Sequence, residues 1–234
     1  MRVVHRFAIT SGLICAVAWV TAASPAALLD ALTNKDASGG LRAALSQGID
    51  TAVAQLGAEN GFLNDPRVAI PLPPALAKAE RALRLLGMGG EADELKATMN
   101  HAAEQAVAGA KPIFQQALQR MSVADAKAIL TGGEDAGTQY FRRATSAQLG
   151  QRFAPIVARA TAKLRVAALY DRYAGKAADV GLITSKEANL NDYVTEKALD
   201  GLFSRMADEE RAIRKDPIGQ ANSLIKKVFG ALGH

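Results

Sequence analysis

Two residues on one predicted helix have the types and spacing for acid–base chemistry or metal binding. His101 and Glu104 stand three residues apart, so an α-helix places them on one face. A di-iron bundle needs Glu-x-x-His twice, and a zinc protease helix needs two histidines four residues apart. Here the order is reversed and occurs once, and the only other histidine beyond residue 23 is His234. The pattern predicts a hydrogen-bonded polar pair, with no metal and no cofactor.

A second carboxylate pair lies near the end of the chain. Glu209 and Glu210 have the types for acid–base catalysis or for holding a divalent cation. Arg214 stands four residues after Glu210, however, and that spacing favours a salt bridge on the helix surface. We expect no catalytic residue here.

Other catalytic and nucleic-acid motifs are missing from the sequence. It has no Gly-x-Ser-x-Gly, and its single cysteine is Cys15. The glycines at 87–90 follow a predicted helix and lack the lysine of a phosphate loop, so they indicate a helix end and a turn. Aromatic residues make up 5% of the chain, too few for a base-stacking platform. We therefore expect no nucleic-acid partner.

Residues 1–23 have the layout of a secretory signal peptide. Arg2 and Arg6 precede an apolar run at 7–20, and small residues lead up to Ala23. The run of 14 residues is shorter than the roughly 20 that cross a bilayer, which disfavours the alternative of a retained anchor. Lipidation of Cys15 is disfavoured because Ile14 is not small. We expect cleavage after Ala23 and a periplasmic protein of a Gram-negative cell.

The remaining residues, 24–234, predict a single compact all-α domain of several helices. Alanine, the best helix former, occurs 48 times, and apolar residues recur at helical spacing. We expect helices at about 40–56, 75–86, 92–120 with a break or kink at Pro112, a short one capped by Ser122, 142–176, 192–214 and 218–232. Four prolines between residues 66 and 74 predict an irregular segment, with a minimal hairpin at 62–71 as one reading.

Charge is segregated along the second half of the chain. Residues 142–176 carry eight bases and one acid, and residues 179–210 carry eight acids and three bases. Two sets of charges flank the apolar stripes: Arg152, Arg159 and Lys163 in the basic helix, and Asp192, Glu196 and Asp200 in the acidic one. We expect these helices to pack antiparallel with the charges paired. The alternative is that the basic flank meets an anionic lipid headgroup, a cell-wall polymer or an acidic partner.

Six residues near the irregular segment and on the alanine-rich helices are candidates for ligand binding. They are Asn60, Ile70, Asn100, Glu104, Thr138 and Tyr140. Polar groups in such helices need partners when they are buried. These residues therefore either contact a ligand or tether the loop to a helix.

The segments that contain these residues resemble one known family in combination. They read NGFL at 60–63, VAIPLP at 68–73, MNHAAE at 99–104, PIF at 112–114, TQYF at 138–141, FAPIV at 153–157, VTEKALDGLF at 194–203, EER at 209–211 and VFG at 228–230. The chain is similar over about residues 28–230 to the bacterial exported family catalogued as domain of unknown function 4197. The resemblance implies a helical exported protein and assigns no reaction, ligand or catalytic residue.

Together these patterns favour a non-enzymatic binding or envelope-associated interaction protein. Its partner is expected to be a protein or an apolar ligand held between helices in the envelope. One alternative is a hydrolase that uses Glu104, Glu209 or Glu210 as general acid or base. The other is a peripheral protein whose basic helix binds an anionic membrane surface.

Overall fold

The computed structural model describes residues 34–85, 87, 89–164, 167–172, 174, 188–217, 219 and 222–231. Within these residues eight helices have defined bounds and no strand occurs, which confirms the all-α prediction. The helices are α1 (Asn34–Leu56), α2 (Pro74–Leu85), α3 (Gly89–Ala108), α4 (Lys111–Arg120), α5 (Val123–Leu130), α6 (Ala136–Thr161), α7 (Leu190–Lys215) and α8 (Ser223–Ala231). The predicted signal peptide, residues 1–23, lies outside the described residues.

The long helix α6 packs between α3 and α7. The Thr161 hydroxyl at its end donates to Asn191 Oδ1 at the start of α7, at 2.7 Å. The Gly137 N–H at its beginning donates to Glu210 near the end of α7, at 2.9 Å. These two contacts show that α6 and α7 run antiparallel. Helix α1 packs against α7 from another side and also carries α8.

The core is built from apolar side chains of all the long helices. On α6, Phe141, Phe153 and other buried residues recur four positions apart. The ring of Phe114 of α4 packs edge to face against Phe141 of α6 and against Phe203 of α7, with ring centroids 5.5 and 6.1 Å apart. Each such fully buried side chain stabilises the fold by about 1.5–3 kcal/mol.

The break or kink expected at Pro112 within residues 92–120 is a break that separates two helices. Helix α3 ends at Ala108 and α4 begins at Lys111, so Pro112 lies in the first turn of a new helix. Proline is tolerated there because the N–H groups of the first turn have no acceptor within the helix. The capping of the next helix is confirmed: Ser122 Oγ accepts from the Asp125 N–H at 3.0 Å, and the Asp125 carboxylate accepts from the Ser122 N–H at 2.9 Å.

Two predicted helix boundaries are wrong, and a third falls on a residue outside the described ones. The basic stretch 142–176 is not one helix, because α6 runs from Ala136 to Thr161 and is followed by a turn. Helix α8 begins at Ser223, where the Asn222 side chain accepts from the Leu224 N–H at 2.9 Å, and residue 218, its expected start, lies outside the described residues. Helix α1 starts at Asn34 and continues through Gly40, where a Cβ would lie 2.4 Å from a methyl group of α8. Close packing therefore accounts for that glycine.

The minimal hairpin at 62–71 is also wrong. Residues 57–73 form turns and irregular backbone without a strand. The N–H groups of Phe62, Leu63 and Ile70 donate to side chains of α3, so they do not form a ladder with each other. Side chains of a neighbouring helix thus take the place of a partner strand.

Candidate functional site

Asn100 and Glu104 of α3 hold residues 57–73, which we call the proline-rich segment, against the helix. The Asn100 side chain accepts from the Ile70 N–H at 2.8 Å and donates to the Ile70 carbonyl at 3.0 Å. One turn later, the Glu104 carboxylate accepts from three backbone N–H groups of residues 60–63, at 3.0 to 3.3 Å. Four of the six predicted ligand residues, Asn60, Ile70, Asn100 and Glu104, therefore lie together. We call these four the tether cluster.

Burial explains why the tether cluster needs both side chains. Asn100 is fully enclosed, and Glu104 is 4% exposed. A buried N–H without a partner costs about 1–3 kcal/mol, and this segment has no neighbouring strand to supply acceptors. Asn60 has φ 61°, a left-handed conformation that asparagine tolerates better than most residues. Such a residue within a turn points successive N–H groups toward one acceptor, here Glu104.

His101 links the tether cluster to the surface. Its Nδ1 lies 2.8 Å from Glu104 Oε2, and 41% of its side chain is exposed. An ionised carboxylate only accepts hydrogen bonds, so Nδ1 is the donor. The other ring nitrogen, Nε2, has no hydrogen-bond partner among the described residues. Nowhere in the described part of the chain do three or more His, Cys, Asp or Glu residues gather as a metal site would require.

A surface groove of about 360 Å³ lies beside His101, between α3 and α6. It is lined by Thr98, His101, Ala102 and Gln105 from α3 and by Ile156, Arg159 and Ala160 from α6. Its wall combines one guanidinium with an imidazole, an amide, a hydroxyl and small apolar groups. We call it the α3–α6 groove.

The basic residues of α6 divide between two neighbouring helices. Arg142, near the start, donates to Asp200 of α7 at 3.1 Å. Arg152 instead lies near the end of α3, and Arg159 lines the α3–α6 groove. Arg152, Arg159 and Lys163 are exposed, and none forms an ion pair with another described residue. We call these three residues the basic edge.

The acidic residues of α7 likewise form an ion pair at one position. We call Asp192, Glu196 and Asp200 the acidic ladder. Asp200 binds Arg142, whereas Asp192 and Glu196 are exposed and form no ion pair within the described ranges. Of the three acidic residues expected to pair with α6, one, Asp200, does so within the described residues. The reason is geometric: α6 contacts two helices, and the residues Arg152 and Arg159 lie on the side of α3.

Thr138 belongs to a second buried polar cluster, at the start of α6. Glu210 of α7 accepts from the Gly137 and Thr138 N–H groups at 2.9 and 2.8 Å, and from the Thr138 hydroxyl at 2.9 Å. These N–H groups belong to the first turn of α6, where the helix supplies no acceptor. Arg214 donates to the same carboxylate, and both side chains are buried. The salt bridge expected between Glu210 and Arg214 is confirmed, but its expected position on the surface is wrong because both side chains are buried.

A signal for this burial was present in the sequence. Glu210 stands four residues after Met206 and three before Ile213, which are both buried members of the apolar stripe of α7. That position places Glu210 on the core side of the helix. A carboxylate on such a stripe needs buried donors, which the N-terminus of α6 supplies.

The remaining residues with candidate chemistry stand apart from both clusters. The Tyr140 hydroxyl donates to the Ala117 carbonyl at 3.2 Å, and burial raises the pKa of its phenol. Glu209 is half-buried, and loss of hydration raises the pKa of its carboxyl. Thr138 and Tyr140 are thus not part of the tether cluster.

The described fold is a compact all-α domain in which buried carboxylates satisfy the backbone of other elements, and an exposed basic edge borders a groove. None of the described helices is long and apolar enough to cross a membrane. The chain belongs to the family described as Protein of unknown function (DUF4197), whose profile matches residues 31–230. This confirms the resemblance seen in the sequence. No curated protein and no solved structure matches the chain.

Proposed function

We propose that this chain is a non-enzymatic binding protein of the cell envelope, which holds an acidic segment of a partner protein along the basic edge and in the α3–α6 groove. The observation that carries the proposal is that Arg152, Arg159 and Lys163 are exposed without an acidic partner among the described residues. Arg142 is paired with Asp200, whereas Arg159 lines the groove and has no acidic partner among the described residues. Together with Arg152 and with Lys163, which lies just after α6, it has charge available for another molecule.

The dimensions of the basic edge suit an extended peptide. Arg152 and Arg159 are seven residues apart on α6, about 10 Å along the helix axis, and Lys163 lies in the turn after the helix. An extended chain covers the distance between the two arginines with about three residues. The groove beside Arg159 adds the His101 and Gln105 side chains as polar contacts. A short acidic stretch of a partner protein therefore matches both the length and the charge.

A partner protein is favoured over a membrane surface by the shape of the site. The site is concave, and the large exposed apolar side chains of the described residues, Leu85, Val123 and Leu224, lie on other helices. Proteins that lie on membranes usually insert apolar side chains next to their cations. Without such an anchor, three cations supply about 1 kcal/mol each at an anionic surface.

The envelope location is supported by residues 1–23, which have the charge and hydropathy pattern of a signal peptide. We propose that the mature chain starts at Ser24 in the periplasm of a Gram-negative cell. N-terminal sequencing of protein from a periplasmic fraction tests this, and a chain that still starts at Met1 would contradict it.

The alternative of a carboxylate-dependent hydrolase has less support. Glu104 and Glu210 each accept hydrogen bonds from backbone N–H groups and from a side chain, so both carboxylates are already engaged within the protein. A general acid or base must reach the substrate. Glu209 has a raised pKa, but its expected partner Glu210 points into the buried cluster.

Binding of a fluorescent hexaglutamate peptide, followed by anisotropy at low ionic strength, tests the proposal. The variant Arg152→Gln/Arg159→Gln/Lys163→Gln is expected to bind about tenfold more weakly, because three exposed pairs contribute about 0.5 kcal/mol each. Added salt is expected to weaken the wild-type complex as well.

The matched control replaces three other exposed cations, Arg120, Lys127 and Arg143, by glutamine. It changes the net charge equally and is expected to retain binding. Equal losses in both variants would point to unspecific attraction and contradict the proposal, as would full binding by the basic-edge variant. Binding to phosphatidylglycerol vesicles without binding to the peptide would assign the basic edge to a membrane surface instead.

A further inference from the structure

A larger groove lies at the other end of α6, away from the basic edge. It has a volume of about 590 Å³, within the range of about 300–1,000 Å³ usual for small-molecule sites. The described residues that line it are Gly132, Gly133 and Glu134 from the loop before α6, and Arg211, Arg214 and Lys215 near the end of α7. We call it the α7-end groove.

Arg214 presents a fixed guanidinium to this groove. Its Nε and Nη2 donate to Glu210 Oε1 at 3.2 and 2.9 Å, and Nη2 also donates to the Ile129 carbonyl at 2.9 Å. The ring of Phe229 lies 5.4 Å from the guanidinium carbon. The side chain is 5% exposed, so these contacts hold it in one orientation.

One nitrogen of that guanidinium is left for a ligand. Nη1 of Arg214 has no acceptor among the described residues, and it keeps some exposure to solvent. Arg214 lines the groove, and Nη1 is the nitrogen of its guanidinium that is left to donate to a bound molecule. A donor held in place before binding loses little entropy when a ligand arrives.

The groove lining holds two further cations besides Arg214. Lys215 is exposed and forms no ion pair within the described residues, and Arg211 pairs with Asp208 at its side. Glu134 is the acid on the opposite wall. Three cations and one carboxylate therefore line the groove, and Lys215 is the cation among them without an ion pair in the described residues.

We propose that the α7-end groove binds a small organic molecule through a phosphate group. A phosphate monoester carries nearly two negative charges and three terminal oxygens, which matches Arg214 Nη1, Arg211 and Lys215 as three donors. The volume of the groove exceeds that of one phosphate, so the organic part of the ester has room beside it. Gly137 and Arg152 are fifteen residues apart on α6, about 23 Å, so this site is separate from the basic edge.

A substitution in the loop that contains Gly132 and Gly133 tests the site without changing Arg214 or Glu210. A Cβ on Gly132 would lie 2.8 Å from both the Ala128 carbonyl and the Ala136 Cβ, so this residue has no room for a side chain. A Cβ on Gly133 meets no atom within 4 Å. Gly133→Glu is therefore expected to fold normally and to place a second carboxylate on the groove wall.

Calorimetric titration with phenyl phosphate measures the site directly. Wild-type protein is expected to show saturable binding, and Gly133→Glu and Lys215→Gln to weaken it about two- to fivefold each, as for exposed charge pairs. Glu134→Gln removes the opposing acid and is expected to strengthen binding about threefold. Arg152→Gln is the control and is expected to bind phenyl phosphate like the wild type.

Three results would overturn the proposal. The first is that the wild type shows no saturable binding. The second is that Gly133→Glu binds phenyl phosphate as the wild type does while unfolding at the wild-type temperature. The third is equal affinity for benzoate, which would assign the groove to carboxylates. Binding of the acidic peptide is expected to be unaffected by Gly133→Glu. The two proposals can therefore fail independently.

Discussion

The tether cluster predicts a specific loss of stability when Glu104 is replaced by glutamine. Glutamine keeps the shape of the side chain but has one acceptor oxygen and an NH₂ group in place of the other oxygen. In the wild type, Oε1 accepts from the Phe62 and Leu63 N–H groups, and Oε2 accepts from the Asn60 N–H and from His101 Nδ1. Whichever way the amide is turned, one of these two sets of donors faces an NH₂ group.

The magnitude follows from which donors lose their acceptor. The better orientation keeps the oxygen on Phe62, whose hydrogen bond is buried, and leaves the Asn60 N–H unpaired at a cost of about 1–3 kcal/mol. His101 can change tautomer and accept from the new amide. The two retained bonds lose their charge assistance, about 0.5 kcal/mol each. We expect Glu104→Gln to lower the free energy of unfolding by about 3 kcal/mol, a large share of the about 5–15 kcal/mol of a typical domain.

Urea unfolding followed by circular dichroism measures this change, and amide hydrogen exchange locates it. Exchange is expected to accelerate at residues 60–63 before it does so in α6. Glu94→Gln is the control, because Glu94 is exposed on the same helix and its replacement is expected to alter stability by less than about 0.5 kcal/mol. A Glu104→Gln protein as stable as this control, with unchanged exchange at 60–63, would refute the reasoning.

Burial raises the pKa of the Glu209 carboxyl, so its ionised form destabilises the folded state at a pH above that pKa. Glu209→Gln is expected to increase the free energy of unfolding at neutral pH. This gain is expected to disappear as the pH falls below the ordinary pKa of glutamate near 4.3, because the carboxyl is then protonated in both the folded and the unfolded chain. Urea titrations at about pH 3.5 and 7 check this, and an equal gain at both pH values contradicts it. A Cβ on Gly137 would lie 2.5 Å from Leu45 Cδ2, so Gly137→Ala is expected to destabilise the protein by about 1–3 kcal/mol. On the same helix, Gly150→Ala meets its nearest atom at 4.0 Å and is expected to stabilise it by about 0.5–1 kcal/mol; thermal unfolding that ranks the two variants in the opposite order would show the packing argument to be wrong.

Features whose partners lie within a few residues were predictable from the sequence. Apolar residues at helical spacing indicated the all-α fold, and the capping box of Ser122 and Asp125 spans three residues. Pro112 shows where this local reasoning stops, because a proline can kink a long helix or stand in the first turn of a new one. The chain breaks before it, so that Phe114 packs against aromatic side chains of α6 and α7.

The sequence by itself determined the helical class, the family resemblance and the angular position of each side chain about its own helix. Only the tertiary structure decided which neighbour stands at that angle. The acceptors for the proline-rich segment come from Asn100 and Glu104, 30 to 44 residues away, which is why a hairpin was expected in its place. Arg152 and Arg159 lie toward α3 and not toward the acidic ladder, because α6 packs between two helices. Helical periodicity gives the direction of a charge, and long-range packing gives its partner.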